Sequence, residues 1–346
     1  MNFLWLLVMH LAAALGGYIL IRLKAPAGAM VGSMLGVVLF FVIGRIEITY
    51  YAPIRLIAQV LSGLVIGLGF SHDNFRVLVK MMGPVLVLIA TMVVVNVAFA
   101  LLMYTVTDFT FMTSLFATGL GGVADLALIA PDFGADMEVV ALLQLFRLVT
   151  VVLLFPPLIK GLLGIKEDSL KSAARAVSSE KVKTPMTFRF TITLMVALAG
   201  GLLFYYLKVP AGGILGAIFA TALLNILSDK GGAPLVMKSV AQILVGAYIG
   251  SNLSFATLLK LPHLLLPYLI LVAEIFAMGF LGAFLFTKFF AFDWPTALFC
   301  AAPGGVQVMG LIGQEYGIDA PKIVLMHTIR IFGTLVFLPI LAGILG

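Results

Sequence analysis

Along this 346-residue chain the apolar positions fall in long runs and the polar ones in short breaks between them. In the first half the runs cover about 3–21, 27–43, 54–70, 77–106, 110–131 and 138–163; in the second they cover about 188–207, 211–228, 237–253, 260–289, 295–313 and 320–345. Runs of roughly 17–25 apolar residues are the length a helix needs to cross a hydrocarbon core of ~30 Å. The pattern predicts an all-α polytopic membrane protein. The first run has no basic residues ahead of it, and a similar segment recurs at 188–207, so it is expected to be a retained helix rather than a leader.

The fifth run of each half is different. Residues 117–136 read ATGLGGVADLALIAPDFGAD, with five Gly or Pro and three Asp in one stretch. Residues 300–319, CAAPGGVQVMGLIGQEYGID, are broken in the same way. The likeness extends along the chain. Lys24-Ala25-Pro26-Ala27-Gly28 returns as Lys208-Val209-Pro210-Ala211-Gly212 at an offset of 184. Gln59, Gly63 and Gly67 return as Gln242, Gly246 and Gly250 at an offset of 183. At that same offset Gly121 and Gly122 meet Gly304 and Gly305, Asp136 meets Asp319, Arg147 meets Arg330, and Pro156 meets Pro339. Ungapped matches at Gly, Gln, Asp, Arg and Pro mark a duplication. The expected organisation is a first membrane repeat at 1–163, a polar linker at 164–187 and a second membrane repeat at 188–346.

Loop charge bears on topology, because cytoplasmic loops hold an excess of Lys and Arg. If all twelve runs cross the membrane, the loop Lys and Arg split twelve to seven. If the fifth run of each half dips in and returns, one side holds only Arg45, Arg55, Lys208 and Lys260, and the other holds fifteen. The second arrangement is favoured. It predicts two inverted repeats, each of about five transmembrane helices plus a re-entrant Gly-Gly hairpin. The linker is then cytoplasmic, both termini are on the opposite side, and the membrane is the cell's inner one.

Composition agrees and narrows the function. The chain is 62% hydrophobic and 10% charged, and its mean hydropathy is +1.20. The net charge of +6 is explained by loop asymmetry before any nucleic acid is invoked. A single cysteine, Cys300, excludes an intrachain disulfide and a cysteine metal cluster. The four histidines, His10, His72, His263 and His327, are scattered over different segments, which argues against an oxygenase metal centre. No catalytic residue, metal or organic cofactor is expected.

Broken backbone at membrane depth survives only where protein or a water-filled cavity satisfies it. Gly121, Gly122, Gly304 and Gly305 are therefore expected at a site, not against lipid. Glycine there permits positive φ and close backbone approach. Two such tips meeting near the midplane would suit an anionic ligand. Ionisable groups inside membrane segments are functional candidates by default. Asp125, three residues after the Gly pair, is a helix cap or a coupling-ion site. Its counterpart is Val308, with Gln307 supplying polarity alongside. Arg147 and Arg330 are expected as counter-charges for a ligand or as partners of Asp125. Gln144 and His327 lie one turn before them on the same face. Glu274, which corresponds to Thr91, is a proton site or an interface acid. Gln59 and Gln242 line a path or bond across helices. Asp136 and Asp319 are expected as N-caps. The G-x-x-x-G pairs 63/67 and 246/250 suit helix packing better than ligand binding.

At these residues the chain resembles a known family. GLGGVADLALIAPDFGADMEVVALLQLFRLVTVVLLFPPL is similar to the repeat signature of the bacterial AbrB membrane family, and APGGVQVMGLIGQEYGIDAPKIVLMHTIRIFGTLVFLPI fits the same pattern. The resemblance covers nearly the whole chain in two copies. Members carry the labels of a regulator of aidB expression and of an ammonia monooxygenase. The second copy lacks the Ala-Asp after the Gly pair. More remotely, five helices plus a Gly-Gly hairpin, repeated and inverted, resemble the sodium-coupled citrate and glutamate symporters, which work as dimers. The resemblance implies a secondary transporter of a small anionic solute, coupled to H⁺ or Na⁺ and working by alternating access. It also implies a homodimer in the lipid bilayer. The alternative is a membrane solute sensor that regulates gene expression indirectly, without direct nucleic-acid binding.

Overall fold

A computed structural model describes residues 3–23, 25, 27–44, 52–70, 77, 79–163, 186–228, 230–253, 261–304, 309, 318 and 320–345. Most of the linker, Gly305, Gln307 and Asp319 lie outside the described residues.

The chain is an all-α polytopic membrane protein. The first repeat folds as α1 (Phe3–Arg22), α2 (Gly28–Gly44), α3 (Ala52–Gly67), α4 (Met82–Val106), two short helices α5 (Phe111–Ala117) and α6 (Val123–Ile129), a 3-10 turn (Ala130–Phe133), and α7 (Met137–Leu163). The second gives α8 (Met186–Tyr206), α9 (Gly212–Ser228), α10 (Val236–Asn252), α11 (Leu265–Phe290), the short α12 (Trp294–Ala301) and α13 (Ala320–Leu345). Among the described residues, five helices are long and apolar enough to cross a membrane: Leu4–Arg22, Met82–Val106, Met186–Tyr206, Leu265–Phe290 and Lys322–Leu345.

The helices sort into two groups that cut across the repeats. The first three helices of each repeat pack together: α1 on α2, α8 on α9, α3 on α9 and α2 on α10. The glycine pairs make these crossings. A Cβ at Gly63 or Gly67 would run into the backbone of α9 at Ile214 and Ile218. One at Gly246 or Gly250 would run into α2 at Met30 and Met34. Small residues here let backbones approach closely, and the two repeats clasp each other reciprocally.

The second group contains α4, α7, α11, α13 and the broken segments, with α11 against α4, α7 and α12. The two groups meet where α3 and α10 touch α6, and α10 also touches α7.

The broken segment of the first repeat folds back on itself. Its two helices have seven residues each, about 10 Å apiece. The Asp136 N–H donates to Thr113 Oγ1 at 3.0 Å, which brings the exit of the segment back to its entrance. Phe116 and Phe133 stack at 5.2 Å between ring centroids. Leu126, Ala127, Leu128 and Ile129 are fully buried. Equivalent residues start the segment in each repeat: Thr110 caps α5 through the Thr113 N–H, and Asp293 caps α12 through the Thr296 N–H. Asp136 is an N-cap as expected, accepting from the Glu138 and Val139 N–H groups at 2.9 and 3.3 Å.

Candidate functional site

Breaking a helix leaves carbonyl oxygens without partners, and at membrane depth no water replaces them. Conserving hydrogen bonds across the break falls to three side chains on α4 and α7 and to Thr118 of the segment itself. Asn96 on α4 donates to Leu115 O at 3.2 Å and to Thr118 Oγ1 at 2.8 Å. Gln144 on α7 donates through one nitrogen to Phe116 O, Ala117 O and Gly119 O at 3.0, 2.9 and 2.9 Å. One turn on, Arg147 places Nη1 on Gly119 O and Nη2 on Gly121 O, the latter at 2.8 Å. Thr118 completes the set by donating to Ser114 O at 2.8 Å.

The second repeat repeats the arrangement on α13. Arg330 places Nη1 on Ala302 O and Nη2 on Gly304 O, both at 2.6 Å. His327 lies with Nε2 2.8 Å from Phe299 O and Nδ1 3.1 Å from Gly304 O. Phe299 is the counterpart of Phe116, so Gln144 and His327 serve the same carbonyl with different chemistry.

The two tips open on one cavity of about 420 Å³. The second helix group supplies Gly121, Gly122, Asp125, Arg147, Gly304, Thr328 and Arg330 to its wall; the first supplies Ala27, Met30, Ser62, Gly69, Lys238 and Gln242. The cavity thus lies on the seam between the groups. Gly122, Val123 and Ala124 are half-exposed through it, although the residues on either side of them are buried.

Asp125 lies in the first turn of α6, where its Oδ1 accepts from the Ser62 hydroxyl of α3. A Cβ on Gly122 would collide with the Asp125 carboxylate. Gly122 has φ −71° and ψ 132°, so it is needed for this close approach and not for a left-handed backbone. Of the two things glycine permits, close approach is the one used here: among the described glycines only Gly134 has positive φ, at 71°.

Of the residues singled out in the sequence, Gly121, Gly122, Asp125, Arg147, Gly304, Arg330 and Gln242 share this wall. Gln144 and His327 are fully buried behind the tips, outside the lining. Glu274 on α11 is also fully buried and outside it, near enough to Arg147 for their charges to attract, and neither of its oxygens is hydrogen-bonded among the described residues. Gln59 turns away from the cavity, toward Asp132 Oδ2 at 3.5 Å. Arg147 makes no ion pair with Asp125 among the described residues. The sequence reading passed over Ser62 and Lys238. Ser62 carries no charge to mark it, and Lys238 reads as a topology lysine at a helix end.

A family model described as "Transition state regulatory protein AbrB" matches residues 1–163 and matches again over residues 164–346. The chain belongs to the AbrB family. Two relatives extend the match. "Putative regulator AbrB" of Escherichia coli (strain K12) is 25% identical over 336 residues, covering 94% of this chain and 91% of that protein. "Uncharacterized protein YhjN" of Bacillus subtilis (strain 168) is 25% identical over 241 residues, covering 66% of this chain and 62% of that protein. The double match agrees with the internal duplication.

Proposed function

We propose that this AbrB-family protein is a secondary transporter of a small anionic solute, working by alternating access with H⁺ or Na⁺ as the coupling ion. The observation that carries the reading is the position of the cavity, on the seam between two separately packed helix groups and walled by both broken segments. Such a seam lets one group move against the other and present one site to alternate sides, as in transporters built from inverted repeats with discontinuous helices. Two arginines and a lysine in the wall bias it toward anions.

In this proposal the broken segments are re-entrant hairpins and the repeats are inverted. The protein is a homodimer in the inner membrane, with 164–187 on the cytoplasmic side. Of the lining residues, Ala27, Gly69 and Lys238 stand at helix ends next in sequence to Arg22 and Lys24, to Arg76 and Lys80, and to Lys230, which the loop-charge argument puts on the basic side. The cavity therefore faces the cytoplasm in this state. The coupling ion is assigned to Asp125 in the wall or to Glu274 behind Arg147. Gln144 and His327 act as positioning residues for the tips.

A second reading, a sensor that binds solute without moving it, is favoured by the word "regulator" in the name of the Escherichia coli relative. Flux separates the two. The full chain is reconstituted in sealed vesicles and uptake of labelled small anions is followed under Na⁺ and pH gradients. Gradient-driven uptake supports transport. Stabilisation of the protein by an anion with no flux under either gradient selects the sensor.

A further inference from the structure

We infer that the cavity takes a small carboxylate that also carries a hydrogen-bond donor, that is, a hydroxy acid or an amino acid. Lys238 and Gln242 hold its carboxylate, and Asp125 holds its donor. The inference rests on the proposal that the cavity is a solute site, and it narrows the solute.

The arginines are poor candidates for first contact, because each has its Nη pair laid on the carbonyls of a tip. Lys238 is different. It is half-buried in the cavity wall, and among the described residues it makes no hydrogen bond or ion pair. An ammonium carries three donors, and Lys238 belongs to the cavity lining.

The first repeat shows what this pair of positions does. The offset of 183 carries Arg55 onto Lys238 and Gln59 onto Gln242. Arg55 and Gln59 stand one turn apart on α3, and together they hold a carboxylate, that of Asp132, at 2.8 and 3.5 Å. Lys238 and Gln242 stand one turn apart on α10, and both line the cavity. A cation and an amide at this spacing form a carboxylate clamp, and in the second repeat the clamp opens on the cavity.

Asp125 lines the same cavity from the other helix group. It and Lys238 act on each other electrostatically, yet no ion pair within 4.0 Å joins them. Ser62 occupies Oδ1 only, and an ionised carboxylate accepts at both oxygens. A plain anion in this gap meets Lys238 but is opposed by Asp125, and a plain cation meets the reverse. A molecule with a carboxylate at one end and a hydroxyl or ammonium nearby satisfies both walls. Asp125 then serves the solute rather than the coupling ion.

The test is thermal unfolding of the purified full chain with size-matched probes: propionate, lactate and alanine; succinate, malate and aspartate; and propylamine. Hydroxy or amino carboxylates are expected to raise the melting temperature, while propionate, succinate and propylamine have little effect. Lys238→Gln should weaken the apparent affinity about 10- to 100-fold, with Lys238→Arg restoring most of it. Asp125→Asn should erase the preference for donor-bearing acids over plain ones. The inference fails if propionate or succinate stabilises as well as its hydroxy analogue, or if Lys238→Gln responds like wild type. It also fails if Glu315→Gln, at the counterpart of Asp132, abolishes the response as fully as Lys238→Gln; the clamped carboxylate is then the chain's own. If anions stabilise the Lys238→Gln variant normally, the solute-site proposal stands and only this assignment falls. If no probe shifts wild type, both fall.

Discussion

Arg147 and Arg330, 183 residues apart, lie across two carbonyl oxygens of their own repeat's broken segment, 28 and 26 residues upstream of each. Both are buried, at 4% and 3% exposure, and the carbonyls they meet are ones that the break in the helix leaves without intrahelical partners. The planar fork of arginine is preorganised to span two acceptors, whereas an ammonium is a compact point charge on a flexible stem. These residues are therefore parts of the fold before they are parts of a binding site. Arg147→Gln and Arg330→Gln are each expected to lower the melting temperature of the solute-free protein, with a loss of about 1.5–3 kcal/mol per hydrogen bond removed. Lysine at either position should recover only part of it. Unchanged solute-free unfolding in both variants would make the arginines ligand groups alone.

The glycine crossings give a sharper contrast. A Cβ on Gly246 would meet the Met30 carbonyl and the Ser33 hydroxyl, whereas one on Gly343 would meet nothing within 4 Å. Gly246→Ala should destabilise by about 1–3 kcal/mol through overpacking. Gly343→Ala should be neutral or stabilise by up to about 1 kcal/mol through helix propensity. Unfolding in mixed micelles, with the two variants side by side, measures the difference. Equal effects would mean that the α2–α10 contact does not hold the two repeats together.

Much of this was readable in the chain because membrane length and duplication leave strong marks. The run expected over 110–131 became α5 and α6, broken at the Gly pair, since no continuous helix accommodates that stretch. The packing role of Gly246 followed from its spacing with Gly250. The reach of Arg147 back to Gly119 and Gly121 was not readable, because spacing along a helix does not say which backbone a side chain meets. Lys238 was lost among the loop cations: a count of charges by loop does not show which helix end borders a cavity. Left-handed backbone was not readable either: it occurs, among other places, at Ala27 and Ala211, φ 48° and 56°, equivalent residues of the two Pro-Ala-Gly motifs, although alanine is disfavoured there.

Asp293 offers a pH test outside the membrane segments. Its partial burial works against the charged form, but hydrogen bonds from the Thr296 N–H and hydroxyl, at 3.0 and 2.8 Å, and the nearby Lys322 hold the carboxyl below its ordinary 3.8. A group whose folded pKa is depressed stabilises the fold above its unfolded pKa, and that contribution is lost as pH falls through the folded value. Asp293→Ala should therefore cost about 1 kcal/mol at neutral pH, with the difference from wild type shrinking below pH 3.8. Thr110, the equivalent cap in the first repeat, does not titrate. Thr110→Ala should cost a similar amount at neutral and acid pH. Denaturation of the three proteins at both pH values checks this, and a Thr110→Ala penalty that also faded in acid would remove Asp293 as the source.

Arg55 joins the two helix groups at the far end of the first broken segment. From α3 it donates to Asp132 Oδ1 and to Leu128 O, each at 2.8 Å, and its guanidinium lies 5.3 Å from the ring centroid of Tyr248 on α10. In the alternating-access proposal this clasp closes the non-cytoplasmic side while the cavity is open to the other. The pair is only partly buried, about a quarter exposed on each side chain, so its strength comes from the shared carbonyl and ring and not from the ion pair alone. Ala124→Cys, placed in the cavity wall in a Cys300→Ala background, reports access to an impermeant maleimide. In otherwise unaltered protein it should label only from the side of the linker. Arg55→Gln or Asp132→Asn should add labelling from the opposite side, because the clasp that holds the groups together there is gone. If labelling stays one-sided in both variants while the protein remains folded, Arg55 anchors the segment without gating it, and the closure on that side rests on the apolar packing of α6 against α3 and α10.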